Sequence, residues 1–302
     1  KKLQSNSIFK ASLHEFRDKK VKLSNKDEVD EVLENLKNAT YKVDSIKKSK
    51  TKSKAPAPFT TSTMQQEALN KLNMTLKRTT SAAQQLYEGI DLPGEGKVAL
   101  ITYIRTDSVR ISDDAIKMAR DHIKNNFGDS YVPAKPNIFT VKATAQDAHE
   151  AIRPISLQRS PDSIKNIANN DVYKLYKLIY ERFVACQMSE ALYDSVTALI
   201  KAEDCTFKAV GKTLDFAGWT AMYKNDIKDD DQKIEEGKLP KLEEGEVLEL
   251  DKLLPEQKFT KPLTRYTEAT LVKAMEEKGI GRPSTYAPTV TIIASREYTK
   301  KD

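Results

Sequence analysis

The chain changes its hydrophobic period twice, and that order limits its folds more than any other feature. Up to about residue 187 most apolar residues recur at helical spacing. Val29, Val32, Leu33 and Leu36 fall at i, i+3, i+4, i+7 behind Ser24 or Asn25 as a cap. Met64, Ala68, Leu69 and Leu72 share a face behind Ser62, and Ala82, Ala83, Leu86 and Tyr87 stop at Gly89. Ser112 precedes Ala115, Ala119, Ile123 and Phe127, with Gly128 at the end. Val172, Leu175, Tyr176, Ile179 and Phe183 give one more helix, from Asp171 to about Gln187. The period then drops to two: Tyr193, Ser195, Thr197 and Leu199 alternate with Val196, Ala198 and Ile200. Thr206–Val210 and Val247–Leu250 extend the strand pattern, and helical spacing returns from Thr267 to Gly279 and again after Ser284 or Thr285. A β region inserted between helical regions predicts a multi-domain α and β chain. Its expected breaks lie near Pro58, Ser189 and Pro262.

Composition narrows the class. No apolar run approaches the roughly 18 residues of a membrane span. Cys186 and Cys205 are the only cysteines and form no CxxC. That argues against a disulfide scaffold or a structural zinc site and fits a reducing compartment. No signal peptide opens the chain, and a start at Lys1 rather than Met suggests a fragment. The net charge is +6, unevenly spread: residues 41–58 carry six lysines and one acid, residues 226–251 eleven acids and four lysines. The run 47–54, followed by Ala55-Pro56-Ala57-Pro58, has no period and is predicted to be an exposed basic linker. A basic body suits a polyanionic partner, although mild basicity alone does not demand one.

Three constellations could carry chemistry. The run Val98–Ile104, expected as a buried strand, turns abruptly polar at Tyr103-Ile104-Arg105-Thr106-Asp107. In an extended chain Tyr103 and Arg105 share a face, and Asp107 can join them. A free phenol titrates near 10, and a neighbouring guanidinium favours its ionised form. The same Arg can grip a phosphate through two parallel bonds. The pair suits attack of a Tyr oxygen on a phosphodiester, yet the spacing equally fits a strand-end Tyr beside a surface Arg. The second is residues 146–154. If it is helical, His149 and Arg153 lie on one face and could both reach a phosphate; a lone His is more often structural. The third is Gly279-Ile280-Gly281-Arg282-Pro283-Ser284-Thr285. Two glycines end one helix, and the next one starts with hydroxyls and an Arg, a seat for an anion or a plain pair of caps.

Taken together these strings resemble a family. TYIRTDS, HEAIRP and GIGRPSTYA occur in that order. Around them stand PFTTSTMQQEA, AAQQLYEGI, FVACQM, LDFAGWT and FTKPLTRYTEATLVKAMEEK. The set is similar to bacterial type IA DNA topoisomerases over nearly everything beyond the first fifty residues. Ile104, between Tyr and Arg, resembles topoisomerase I rather than topoisomerase III, which usually has Pro there.

The resemblance implies a β arch or hinge domain from 1–60 and 188–260. It implies a mainly helical tyrosine-carrying domain at 61–187 and part of a helical gate domain at 261–302. It implies an isomerase in which Tyr103 cleaves one strand through a 5′-phosphotyrosine, the other strand passes, and religation relaxes negative supercoils without ATP. Arg105 would hold the scissile phosphate and His149 would assist. Asp107, Arg153, Arg282, Ser284, Thr285 and Arg296 would lie near the DNA. The expected partners are single-stranded and negatively supercoiled DNA. No membrane is expected, and the expected protein is a monomer in the cytoplasm, associated with the nucleoid. The family's Mg²⁺-binding domain, with its Glu and Asp-x-Asp motif, has no counterpart here, and neither have its C-terminal zinc ribbons. The expectation is therefore a central fragment that binds no cofactor and does not relax DNA alone. Two other readings are a single-strand-binding or hinge module without activity and an enzyme like the tyrosine recombinases.

Overall fold

The computed structural model describes residues 7–140, 149–223 and 239–300. In chain order the elements are β1 (Ser12–Phe16), β2 (Lys19–Lys20), α1 (Lys26–Asn35), β3 (Tyr41–Ser53), α2 (Thr61–Leu72), α3 (Leu76–Glu88), β4 (Ile90–Leu92) and β5 (Gly96–Val98). They continue with α4 (Asp113–Phe127), α5 (Asn170–Cys186), β6 (Ala191–Ala202), β7 (Cys205–Phe216), β8 (Val247–Leu248), α6 (Glu268–Glu277) and α7 (Tyr286–Ser295). Two compact units emerge. One comprises Lys1–Ser53, Ala191–Ala217 and Ile227–Pro262; the other comprises Lys54–Glu190, Gly218–Asp226 and Leu263–Asp302. No helix among the described residues is long and apolar enough to cross a membrane.

The first unit is built on an antiparallel sheet in the order β2-β1-β7-β6-β3-β8. Val32 and Leu36, on and just beyond α1, pack with the small residues Ala198, Ala202 and Ala209 and with Tyr41. The predicted cap Asn25 accepts the Glu28 N–H. The basic linker predicted over 47–54 is instead, through residue 53, the second half of β3. Its register runs unbroken along β6 from Lys47↔Thr197 to Ser53↔Ala191. Strand preference depends on an available partner more than on composition, and β6 supplies twelve residues of ladder. The lysines stay exposed there, and Lys50 Nζ lies 2.8 Å from Asp215 and 3.7 Å from Asp194.

The second unit is mainly helical, with α5 at its centre. Sequence spacing picks out five apolar residues on α5, whereas the fold buries ten, from Val172 to Cys186. Its inward phenols are satisfied: Tyr176 donates to the Arg159 carbonyl at 2.7 Å and Tyr180 to the Leu157 carbonyl at 2.8 Å. Burial pushes the Tyr180 phenol up to about 12. Thr60, not Ser62, caps α2, because Thr60 and Thr63 exchange side-chain-to-backbone bonds in a capping box. The strand predicted over Val98–Ile104 stops early. β5 ends at Val98, and Ile101 keeps only an isolated bridge to Pro154.

Gly89 explains the close crossing just before that point. Its φ is +104°, and a Cβ there would sit 2.9 Å from the Val98 carbonyl carbon. Only glycine lets α3 end against β5 this tightly. The Leu100 N–H then donates to the Leu86 carbonyl at 2.8 Å, which delivers the chain to the next segment.

Candidate active site

The segment 100–110 belongs to no ladder and bends at Thr102 and at Ile104–Arg105, and hydrogen bonds from two sides hold it. On one side stands Thr61, the first residue of α2. Its hydroxyl donates to the Ile104 carbonyl at 2.6 Å, and the Thr61 Oγ1 accepts from the Thr106 N–H at 2.9 Å. The Thr61 N–H reaches the Thr106 carbonyl at 2.9 Å. On the other side runs the segment 151–155. The Thr102 N–H donates to the Arg153 carbonyl at 2.9 Å, and the Thr102 hydroxyl donates to the Ala151 carbonyl at 2.7 Å. Ile104, Thr106 and Ser108 are buried, whereas Arg105 is exposed and Tyr103 and Asp107 are half-buried. From Ile104 to Ser108 buried and more exposed residues still alternate, although the chain bends at Ile104 and Arg105.

Tyr103 lies between two rings. His149 is on one side, with centroids 4.9 Å apart and planes tilted by 32°. Tyr87, from the last turn of α3, meets it edge-on at 5.5 Å. Arg105 makes no hydrogen bond or ion pair among the described residues and stays exposed.

The helix considered over 146–154 is not what the structure shows. Residues 146–148 lie outside the described residues, and 149–154 are extended, with Ile152 bridging Phe59. Phe59 and Thr102 supply backbone partners that a helix would forfeit. His149 and Arg153 are therefore not paired on one helical face. His149 goes to Tyr103, while Arg153 Nε binds Glu150 at 2.7 Å and its Nη1 donates to the Pro154 carbonyl at 3.0 Å. Burial pushes the Glu150 carboxyl up, but Arg153, Ser112 and Arg110 outweigh it and hold it below the usual carboxylate range. Arg153 thus stiffens the segment that carries His149.

The third constellation is met in part. α6 ends in a Schellman motif: the Gly279 N–H binds the Glu276 carbonyl and the Ile280 N–H the Met275 carbonyl, with Gly279 at φ +68°. The anion seat expected at α7 is largely closed. The Thr285 hydroxyl accepts from the Arg282 N–H at 2.8 Å instead of capping the helix. The N–H groups of Thr285 and Tyr286 both point to the Arg282 carbonyl. Ser284 is exposed, as is Arg282, whose Nη1 donates to the Gly281 carbonyl. Arg296 follows the other end of α7, about 15 Å along a ten-residue helix. Asp107 connects this corner to the tyrosine segment. The buried Tyr286 phenol is held above its ordinary value by burial, then by Glu276 and Asp107, with Arg282 opposing.

Thr61 and Tyr87 are the residues that sequence reasoning missed. Tyr87 falls on the apolar stripe of α3 and reads as core, yet it is 37% exposed. Thr61 stands in a row of hydroxyls that reads as a helix cap. Among the described residues no group of three or more His, Cys, Asp or Glu side chains is placed to hold a metal ion.

The family model for DNA topoisomerase matches residues 2–302. The chain belongs to the type IA DNA topoisomerase family. Full-length topoisomerase I from Thermotoga maritima is similar in sequence and fold, at 37% identity and a TM-score of 0.76 over 94% of this chain. The match spans 45% of that longer protein. The α and β architecture is thus that of part of a type IA topoisomerase. Tyr103, Arg105 and His149, the residues that the TYIRTDS and HEAIRP strings single out in this topoisomerase chain, all belong to the helical unit.

Proposed function

We propose that this chain supplies the nucleophile of a type IA topoisomerase. In this reading Tyr103 Oη attacks a single-strand phosphodiester. The P–Oη bond forms as the P–O3′ bond breaks, the phenol proton is lost, and the leaving 3′ oxygen gains a proton. The product is a 5′-phosphotyrosine, and the 3′ hydroxyl reverses the step after the other strand has passed. No ATP is needed, because the phosphodiester energy stays in the tyrosyl ester. The observation that carries the reading is the half-buried Tyr103 ring set at a tilt against His149, two residues from an exposed Arg105. Arg105 is free to meet a phosphate and stabilise its developing charge, and His149 can donate to one of its oxygens.

The described residues do not fit a magnesium site, so no step is routed through a metal here. The Mg²⁺ of the complete enzyme is assigned to protein outside this chain. The β3–β6–β7 ribbon would serve as arch, residues 54–190 as the tyrosine domain, and α6 with α7 as the start of the gate. Arg282, Ser284, Thr285 and Arg296 would face DNA from that gate. The protein would act as a soluble monomer on negatively supercoiled DNA.

The test is adduct formation on a labelled single-stranded oligonucleotide with Mg²⁺, with and without a separately supplied metal-binding domain of the family. A covalent adduct only upon addition, and no plasmid relaxation by the chain alone, is the expected result. Relaxation by the chain alone overturns the division of labour. Binding without an adduct in either arm reduces the chain to a DNA-binding module.

Tyr87 is expected to matter to the rate of this step. An edge-on aromatic contact contributes about 0.5–1.5 kcal/mol, so Tyr87→Ala should slow adduct formation at saturating oligonucleotide roughly 3–10-fold. Affinity should be unchanged and Tyr87→Phe should retain the rate. An equal loss in affinity and no change in rate would remove Tyr87 from the positioning of Tyr103.

A further inference from the structure

A second polar feature of the helical unit lies along α3. Between α3 and the first turn of α5 is an open cavity of about 520 Å³, lined by Lys77, Arg78, Ser81, Gln85, Asn169 and Asp171 among others. Its volume falls in the roughly 300–1,000 Å³ range of pockets that hold a ligand. Seven of its eight lining side chains are polar, which suits a charged, hydrated chain better than an apolar ligand.

Three of these residues form a track. Lys77, Ser81 and Gln85 recur every four residues and are all exposed, so they line one face of α3. The same helix ends at Glu88, one residue past Tyr87, whose ring touches Tyr103 from a face about a third of a turn around the axis from the track. From Lys77 to Tyr87 the axis rises about 15 Å. The floor of the groove is rigid. Arg78 holds Asp171 by two parallel bonds, Nε–Oδ2 at 2.9 Å and Nη2–Oδ1 at 2.6 Å. Asn169 Nδ2 donates to Gln85 Oε1 at 3.2 Å, which joins the two walls. The Arg78–Asp171 pair cancels its own charge. Lys77 has no ion-pair partner among the described residues, and Lys174 lies near enough to help hold the Asp171 carboxyl low, behind the larger effect of Arg78. The groove therefore presents net positive charge over hydrogen-bonding amides and a hydroxyl.

We infer that this groove is a subsite for the sugar–phosphate backbone of the single DNA strand engaged by Tyr103, a few nucleotides from the reacting phosphate. The inference rests on the proposed tyrosine chemistry for its strand. Lys77 and Lys174 meet phosphates. Ser81, Gln85 and the Asn169 amide bond to whatever base or sugar edge lies above them, so the subsite is indifferent to sequence.

The test measures binding of a fluorescent oligothymidylate of about 12 nucleotides, inside the roughly 4–16-nucleotide size of single-strand sites, across a salt series. The paired substitution Lys77→Gln and Lys174→Gln should lower affinity about tenfold at low salt. It should also flatten the slope of log K against log salt by about 1.4, since each lost phosphate contact on a single strand removes about 0.7. Ser81→Glu, a surface change that leaves both lysines in place, should weaken binding as much by putting a carboxylate into the groove. Lys117→Gln, on the exposed face of α4, should leave affinity and slope unchanged. Wild-type affinity and slope in the groove variants overturn the subsite, and so does an equal loss in Lys117→Gln. If the unaltered chain fails to bind the oligonucleotide, the subsite falls as well. If the groove variants lose affinity as expected but no tyrosyl adduct forms in the complemented assay, the subsite stands and the tyrosine reading fails. If the adduct forms and the groove variants bind normally, only the subsite falls.

Discussion

Replacing Tyr103 by Phe is expected to eliminate the covalent protein–DNA adduct in the complemented cleavage assay and to leave oligonucleotide affinity within about tenfold, since one surface hydrogen bond contributes roughly 0.5–1.5 kcal/mol. The substitution removes one oxygen and keeps the ring, so the contacts to His149 and Tyr87 persist. Among the described residues, the neighbouring hydroxyls of Thr61, Thr102 and Thr106 are already committed to backbone groups or buried. Rate loss should therefore reach the detection limit rather than a residual plateau. Denaturing gel electrophoresis of a labelled strand reads this directly. Adduct of unchanged yield in Tyr103→Phe would displace Tyr103 from the mechanism and leave its aromatic setting as ordinary packing.

Thr61→Val should have the largest effect of any substitution outside the reacting groups. The new side chain has nearly the same shape but lacks Oγ1, and it strands two buried partners at once. The Thr106 N–H loses its acceptor and the Ile104 carbonyl its donor. A stranded buried polar group costs about 1–3 kcal/mol, so with two of them the helical unit should lose about 2–6 kcal/mol in urea titrations. Because Ile104 follows Tyr103 directly, the same change frees the backbone of the proposed nucleophile, and adduct formation should fall by at least about tenfold. Near-attack geometry tolerates displacements well under 1 Å. Thr61→Ser keeps Oγ and should recover most of both quantities. A loss below about 1 kcal/mol in Thr61→Val would mean that the segment 100–110 is held by its other side alone.

Both predictions depend on residues that a linear reading ranks differently. Tyr103 and Arg105 stand out in the sequence because an apolar run turns polar there, and a two-residue period puts them on one face. The fold keeps an alternation of burial from Ile104 to Ser108, even though the ladder ends at Val98 and the chain bends at Ile104–Arg105. His149 stands out as one of three histidines, but its pairing with Tyr103 follows from extended backbone bonds to Phe59 and Thr102. Helical spacing would have sent it beside Arg153. The lysine run shows the same limit: without an apolar period it reads as linker, and only the presence of β6 makes it a strand.

The amino-acid order by itself determined most of the helices, the position of the β insertion and the ordered strings that mark a type IA topoisomerase. Those features are local: they arise from side-chain period, cap chemistry and short motifs, each complete within a few residues. Tertiary structure alone decided what surrounds Tyr103. Tyr87, Thr61 and His149 come from three distant parts of the chain, and their own neighbourhoods do not show that they meet at Tyr103. What brings them together is the need to satisfy the buried backbone of the segment 100–110, and that need exists only once α2, α3 and the segment 149–155 have closed around it.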